Sequence, residues 1–454
     1  MFPLILFPYM TRTLQPQGYG ILGYYESLLS VVAVLATFGV PYYGLRLLSK
    51  ASVGDVNQSN AVLHLLLINC CMALIGMLGY ILYVLSRPIQ IGSWQITALY
   101  AFIILVYLFQ ADWYFQSQEK FAYLVRRTFF LRLYVLVSSL LLVRNEQHLT
   151  RYVVISAVNY ALLAFTTIWQ LRALFSHWRW NAALFKRLLT ALWPFALLGL
   201  LSAVYISLDT ILLARMGQVT ALGHYSVAAK IVRIGLNVFV AASVVFFVRL
   251  FRTEVDRSLQ ADSLLISLHL SLPIGILLFF FAEPVIRFIS GDQYLPAVDL
   301  LQWFSLLWLI VPFHDFFTIQ VLMVHHRERA LVYLYGAACV LSLVLNLVFI
   351  AHWFTQGAVW AIVLTEAFVL IAGMWLSRRH FRLNRDMLLQ VVSCFAILPI
   401  AAALRYVAGR YYLSPFAELL AGVTGSLLAY VLLQWRVFRN PFWRKLVYRA
   451  NRPA

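Results

Sequence analysis

Six ionisable residues of this chain stand where hydrocarbon would surround them. Glu26, Asp209, Lys230, Arg233, Asp315 and Glu366 each fall inside a long apolar run. Charge is costly in such a run, so these residues tend to face a protein interior or a water-filled path and to mark routes for ions or solutes. Lys230 and Arg233 are three residues apart and therefore share a helix face. Two cations on one face suit a phosphate or diphosphate, the arginine offering a bidentate fork and the lysine a point charge. Asp209, in the stretch YISLDTILLARMGQVTALGHYSVAAKIVR, lies across a short polar turn from both. It either pairs with one of them and neutralises it, or leaves both for a ligand. Glu26, Asp315 and Glu366 carry a similar choice between holding helices together and carrying a coupled ion.

Other chemistry is hard to find. GYGILG (Gly18, Gly20, Gly23) matches a dinucleotide-binding spacing in form only, because its glycines open an apolar helix rather than follow a strand. HHRER (His325–Arg329) reads as a tight basic turn, not a metal site. His314 and Asp315 are sequence neighbours, so they are expected to point in different directions around their helix. The four cysteines (Cys70, Cys71, Cys339, Cys394) lie in apolar segments without metal-ligand spacing and read as small hydrophobes. No catalytic residue set, metal site or cofactor is expected.

The elements that must position these charges are membrane helices. Hydrophobic residues make up 63% of the 454 residues and charged ones 11%, with a mean hydropathy of +0.83. Soluble domains are about half apolar and roughly a quarter charged. Solid apolar runs, rather than alternation, indicate an all-α polytopic membrane protein and not a barrel. The runs predict about 14 spans of membrane length, apart from a first one too short to cross alone. They fall at 1–10, 19–45, 61–85, 95–115, 122–143, 151–172, 189–214, 221–248, 262–284, 297–323, 329–352, 357–377, 387–407 and 414–436. The layout divides as 1–172 (six spans), a basic aromatic linker at 173–188, 189–377 (six more), two extra helices within 387–436 and a basic tail at 437–454. Six plus six is the arrangement of internally repeated transporters.

Lys and Arg follow the same layout. Counted with the nearer loop, and leaving out the mid-span Arg132, Lys230 and Arg233, 24 lie on the side of the even-numbered connections and the C-terminal tail, and 8 on the other. The positive-inside rule then places both termini in the cytoplasm. This accounts for much of the net charge of +18, and short loops leave no domain to hold nucleic acid. A residual attraction for anionic lipid or lipid-linked phosphate remains. MFPLILFPYM lacks the basic start and small-residue cleavage site of a signal peptide.

Several motifs, in order, resemble the polysaccharide (O-antigen type, Wzx-like) flippases of the MATE-related exporter superfamily. They are FPYMTRTLQPQGYG (Phe7–Gly20), with its Thr-Arg pair ending in Arg12, and FGVPYYGLRLLSKAS (Phe38–Ser52), with Arg46 at the family's basic position. QADWYFQSQEKF (Gln110–Phe121) is the nearest match, with Ser117 where the family has Gly. The Asp209 hairpin, GDQYLPAVDLLQ (Gly291–Gln302) and LNLVFIAHWFTQGAVWAIVLTE (Leu345–Glu366) follow. Glu26 stands where a neutral polar residue is commoner. The resemblance implies two six-helix lobes around a central cationic cavity, with two C-terminal helices beside them. It implies transfer of an undecaprenyl-diphosphate-linked oligosaccharide across a bacterial inner membrane by alternating access, with a polysaccharide polymerase as partner. Arg12, Arg46, Lys230 and Arg233 are then headgroup candidates, and Glu26, Asp209, Asp315 and Glu366 cavity or proton- or sodium-coupling candidates. A cation-coupled drug or metabolite exporter on the same fold is the alternative. An enzyme, such as a polymerase or ligase, would need a larger outer loop than any here.

Overall fold

A computed structural model describes residues 2–48, 56–86, 91–107, 109–216, 218–252, 257–325, 327–381, 384–410 and 414–438. Among these residues every regular element is helical. The chain divides into two compact units, Met1–Gly223 and His224–Ala454.

The first unit contains α1 (Phe2–Thr37), α2 (Val40–Leu48), α3 (Val56–Ser86), α4 (Trp94–Tyr107), α5 (Asp112–Ser117), α6 (Phe121–Leu142), α7 (Leu149–Leu171), α8 (Ala182–Arg215) and the first turn of α9 (Val219–Arg252). α1 is not one straight rod. Gln15 has φ 58° and ψ 170° and immediately precedes Pro16. A proline's ring disfavours helical backbone in the residue before it, which is where the break falls. The rings of Phe7 and Tyr19 are 5.9 Å apart. Twelve residues of straight helix would separate them by about 18 Å, so the chain folds back at Gln15. Short first and long second spans are thus joined by a single-residue break. The expected second span, 19–45, is interrupted at Phe38 and Gly39, both at positive φ, and α2 continues as a separate helix.

Close approach fixes how α1 meets the start of α9. A Cβ on Gly20 would collide with the carbonyl of Val219, and one on Gly223 with the carbonyl of Pro16. Glycine at both positions lets two backbones touch. Gly20 of the GYGILG stretch therefore serves packing. Ser30 and Ser207 hydroxyls lie 2.6 Å apart and tie α1 to α8. A core of Val40, Leu65, Ile68, Trp113, Phe115 and Leu192 fills the unit's interior. The expected linker at 173–188 is a tight turn from Arg172 to His177 followed by the start of α8. Asn181 caps that helix, its side chain accepting from Leu184 N at 3.0 Å.

The QADWYFQSQEKF motif is a lock. Asp112 opens α5 and accepts from Arg127 of α6 at 2.5 Å. Arg127 also donates to Thr167 Oγ1 at 3.2 Å and lies against the Phe115 and Tyr123 rings. Its side chain is 4% exposed.

The second unit holds the rest of α9, α10 (Arg257–Phe280), α11 (Ala282–Ile289), α12 (Val298–Phe304), α13 (Leu307–Asp315), α14 (Glu328–Ser377), α15 (Arg385–Cys394), α16 (Ile397–Arg410) and α17 (Pro415–Leu432). A π-helical stretch, Phe316–Met323, continues α13. α14 would be about 75 Å long if straight, but Phe354 breaks it at φ 50° and ψ −119°. Leu334 and Ala338 pack on Val369, which only a hairpin permits. α14 thus supplies the two expected spans 329–352 and 357–377. Leu264, Leu268, Phe316 and Val321 form one core beneath α10, and Ile276, Phe281, Ile397 and Tyr430 another that receives α16 and α17.

Nine helices among the described residues are long and apolar enough to cross a membrane, or ten if Asp292–Phe304 and Leu307–Met323, bent by 42°, form one span. Fourteen were expected. Two of the nine runs are the broken helices α1 and α14, and α6 carries three arginines, Arg126, Arg127 and Arg132. The protein is an all-α polytopic membrane protein.

Candidate functional site

The second unit brings His314, Asp315 and Glu366 together within its apolar spans. His314 is buried near the end of α13. Its Nε2 lies 3.0 Å from Asp315 Oδ1. Its Nδ1 lies 2.8 Å from Glu366 Oε2 on the second arm of α14, at ion-pairing distance but not aligned as a hydrogen bond. Side-chain exposure is 9% for His314, 13% for Asp315 and 12% for Glu366. Thr318 Oγ1 donates to the His314 carbonyl at 2.7 Å as the helix loosens into its π turn. π turns concentrate at functional positions because the extra residue displaces side chains from the regular helical register.

This geometry corrects the expectation that His314 and Asp315 point apart. An imidazole reaches sideways from its backbone, and the hairpin of α14 brings Glu366 to its other nitrogen. Two carboxylates around one imidazole cannot all stay charged cheaply away from water, so the group is suited to taking up and releasing a proton. His314 is the member that sequence reasoning set aside. Its only signal was a lone histidine next to an acid within an apolar run.

Lys230 and Arg233 are half-buried on α9 and lie on one face of it. That part of α9 is seated on the α12–α13 region. Tyr225 and Phe304 rings are 5.3 Å apart, and His224 Nε2 is 3.2 Å from the Gln293 carbonyl. Gly235, two residues beyond Arg233, takes the Trp308 indole directly against its Cα, where a Cβ would collide. The two cations therefore lie on a stretch of helix packed against its neighbours on either side of them, at 224–225 and at 235.

In the first unit Asp209 is 1% exposed on α8, and its Oδ1 accepts from Thr210 N at 2.6 Å and Thr210 Oγ1 at 3.2 Å. Glu26 is half-buried on α1 beside a tyrosine cluster. Tyr25 stacks on Tyr100 at 4.8 Å and lies 2.6 Å from Thr97 Oγ1. Arg12 is exposed on the short arm of α1, and its carbonyl accepts from Gln15 Nε2 at 3.2 Å. Arg46 falls on α2, with its side chain outside the described residues. Arg12, Glu26 and Asp209 thus belong to the first unit; Lys230, Arg233, Asp315 and Glu366 belong to the second. No group of three metal-ligating side chains occurs among the described residues.

Comparison with known proteins bears on this arrangement. The profile of the family described as polysaccharide biosynthesis protein matches residues 1–254. No curated protein matches the sequence. Among solved structures, the chain is similar to the lipid II flippase MurJ in an inward closed conformation, with a TM-score of 0.70 and 12% identity over 97% of this chain and 100% of that one. It is also similar to an inward-facing multidrug resistance MATE family transporter of the MOP superfamily. There the TM-score is 0.61 and the identity 11%, over 84% of this chain and 94% of that one. The likeness extends through the fold of essentially the whole chain, and the sequence match covers more than half of it. The chain belongs to the polysaccharide biosynthesis protein family.

Proposed function

We propose that this protein is a flippase for an undecaprenyl-diphosphate-linked oligosaccharide, a surface-polysaccharide repeat unit such as that of O-antigen. It carries the headgroup from the cytoplasmic to the outer leaflet of a bacterial inner membrane, with both termini in the cytoplasm. The observation that carries this reading is family membership joined to a fold shared with a lipid II flippase. The chemistry agrees. A diphosphate and its sugars are expensive to expose to hydrocarbon, so a flippase needs a polar, positive path while the lipid tail stays in the bilayer. Lys230 and Arg233 supply positive charge on one helix face, with Arg12 and Arg46 as further headgroup contacts, and two lobes opening alternately move the site between leaflets.

His314, Asp315 and Glu366 form the coupling group in this reading, with Glu26 and Asp209 as cavity carboxylates. A proton taken up from one side and released to the other would tie transport to a gradient. The activity is transport, not catalysis, and its product would feed a polysaccharide polymerase. The likeness to a multidrug transporter supports a second reading, export of a drug or metabolite. Cations at the headgroup position argue against a cationic drug.

Purified protein in liposomes tests the proposal. A labelled undecaprenyl-diphosphate sugar should move between leaflets faster than in empty liposomes, and Lys230→Ala or Arg233→Ala should each slow it about tenfold, the loss of one charge-assisted contact, at normal protein levels. Movement no faster than in empty liposomes under proton and sodium gradients refutes it. Full transport in both variants refutes the headgroup assignment alone.

A further inference from the structure

The first unit carries an apolar cavity where α3 begins and α7 ends. α3 contributes Leu67 and Cys70, α7 contributes Thr167 and Ile168, and the turn after α7 contributes Phe175 and Trp178 to a space of about 300 Å³. Both helices belong to runs long and apolar enough to cross a membrane. Thr167 carries the one hydroxyl among the described residues that line this space, and it is committed elsewhere. Its Oγ1 donates to the Leu163 carbonyl at 2.8 Å and accepts from Arg127 at 3.2 Å.

The edge of the cavity beside Trp178 is fixed in place. The Trp178 ring lies 4.8 Å from that of His64, which is buried. His64 uses both nitrogens, Nδ1 donating to the Asn60 carbonyl at 2.8 Å and Nε2 accepting from Asn181 N at 3.2 Å. Arg179 N donates to Asn60 Oδ1 at 3.1 Å. Residues 178–181 are thereby tied to the start of α3. Ile168, Phe175 and Trp178 are exposed, so the cavity opens sideways from the unit.

Water finds few partners on such walls, since a buried water needs several polar groups. A void costs packing energy in proportion to its volume, and hydrocarbon is the medium around a membrane span. Charge at the edge narrows the kind of chain. Arg172 and Arg179 directly follow the lining residues Leu171 and Trp178, and both are exposed. Arg172 lies against the Trp169 ring, its guanidinium carbon 4.1 Å from the centroid. Tryptophan is enriched at the membrane interface, and guanidinium forks match phosphate oxygens. Phospholipids bring chain and phosphate together and are the bulk of a bilayer, so mass action favours them.

We propose that this cavity seats one acyl chain of a membrane phospholipid, with the lipid phosphate at Arg172 and Arg179. The chain packs the turn from Arg172 to His177 onto α3 and α7. The site lies in the first unit, whereas the headgroup candidates Lys230 and Arg233 belong to the second.

Native mass spectrometry of the full chain in detergent tests this with no oligosaccharide substrate present, so the outcome is independent of the transport reading. The protein should keep one phospholipid after washing removes the surrounding lipid. A phosphatidylglycerol with a diazirine in its acyl chain should, on illumination, label Leu67, Cys70 or Ile168. Cys70→Phe and Leu67→Trp put a ring into the cavity. Each should lower retention and labelling by about tenfold, the effect of displacing about two methylenes. Arg172→Gln/Arg179→Gln should lower retention by about tenfold, the loss of charge-assisted contacts. Val158→Phe, on an exposed part of α7 outside the cavity, should change neither readout. In lipid-free detergent the two filled variants should melt no lower than wild type, because the ring takes the space the chain has left. Label found only elsewhere, full retention in both filled variants, an equal loss in Val158→Phe, or a lower melting temperature of both filled variants overturns the proposal. Full retention in the arginine pair overturns the phosphate placement. Displacement of the label by undecaprenyl phosphate gives the cavity to a polyprenyl chain and overturns the phospholipid assignment.

Discussion

Both units bury an ion pair, and the two differ in how firmly the pair is held. In the first, Arg127 meets Asp112 at 2.5 Å, donates to Thr167 and lies against two aromatic rings. In the second, His314 lies 3.0 Å from Asp315 and 2.8 Å from Glu366, the latter contact not aligned as a hydrogen bond, in a helix that turns π two residues later. Arg127 cannot release its proton at any ordinary pH, so its pair can only hold helices together. An imidazole between two acids can change charge. Burial alone is common to both; only the second group can change its charge while buried, as the proposed coupling requires.

The largest effect that would test this contrast is on stability. Arg127→Ala removes an almost fully buried guanidinium, with its bonds to the one-third-exposed Asp112 and to Thr167, and should cost about 2–3 kcal/mol, read as loss of folded protein in the membrane and a lower unfolding temperature. A variant as stable as wild type would show that the lock holds nothing. At the second site, Glu366→Gln and His314→Gln should leave the amount of folded protein near normal but slow transport roughly tenfold, the scale of one charge-assisted contact. They should also flatten its dependence on pH. Transport whose pH dependence survives both substitutions would remove this group from coupling.

A third ion network extends the comparison toward the surface. Arg405 of α16 donates to Glu283 at 2.7 Å and pairs with Glu418 of α17, while Arg287 bridges Glu283 and Asp292 at 3.1 and 3.3 Å. These side chains are between 12% and 75% exposed. Its outer members Glu283, Arg287 and Asp292 reach water while Arg405 and Glu418 are partly buried, so Arg405→Gln should lower stability by about 1–2 kcal/mol, read as a fall in unfolding temperature. A loss as large as that of Arg127→Ala would show that exposure is a poor guide here.

The smallest effect concerns His380, which is held below its ordinary range by burial and by His325, Arg327 and Arg379. Its unfolded form takes up a proton more readily than the folded one. Its contribution to stability is intact above about pH 6.5, the unperturbed value, and is lost as pH falls below it. Wild type should therefore lose slightly more thermal stability between pH 7.5 and 5.5 than His380→Gln. Identical slopes would remove His380 as a titrating group.

Much of this was readable in the residues. Apolar runs located the spans, and the pair 329–352 and 357–377 corresponds to the two arms of α14. The gap between the first two runs, 1–10 and 19–45, contains the break at Gln15, where Pro16 acts on the residue before it. Phe354 gave no comparable warning; a phenylalanine at positive φ is held there by the packing of the arms, which only the folded chain supplies. Asp112 was seen within its motif, but its partner Arg127 lies in a helix not singled out. His314 was dismissed by a rule about helix directions that ignores the reach of a side chain. Its second neighbour is 52 positions away, a distance across which sequence spacing says nothing.

The hairpin of α14 also bears on how the protein is made. From 330 to 377 there is no Lys or Arg, while Arg327 and Arg329 stand at one end and Arg378 and Arg379 at the other. The tip around Phe354 carries no strongly hydrated charge, and the arms bury Leu334, Ala338 and Val369 against each other. Such a pair can enter the bilayer together, tip first, with the four arginines resisting passage. The four arginines at its open end then act, during synthesis, as the stop that sets how far the hairpin goes in.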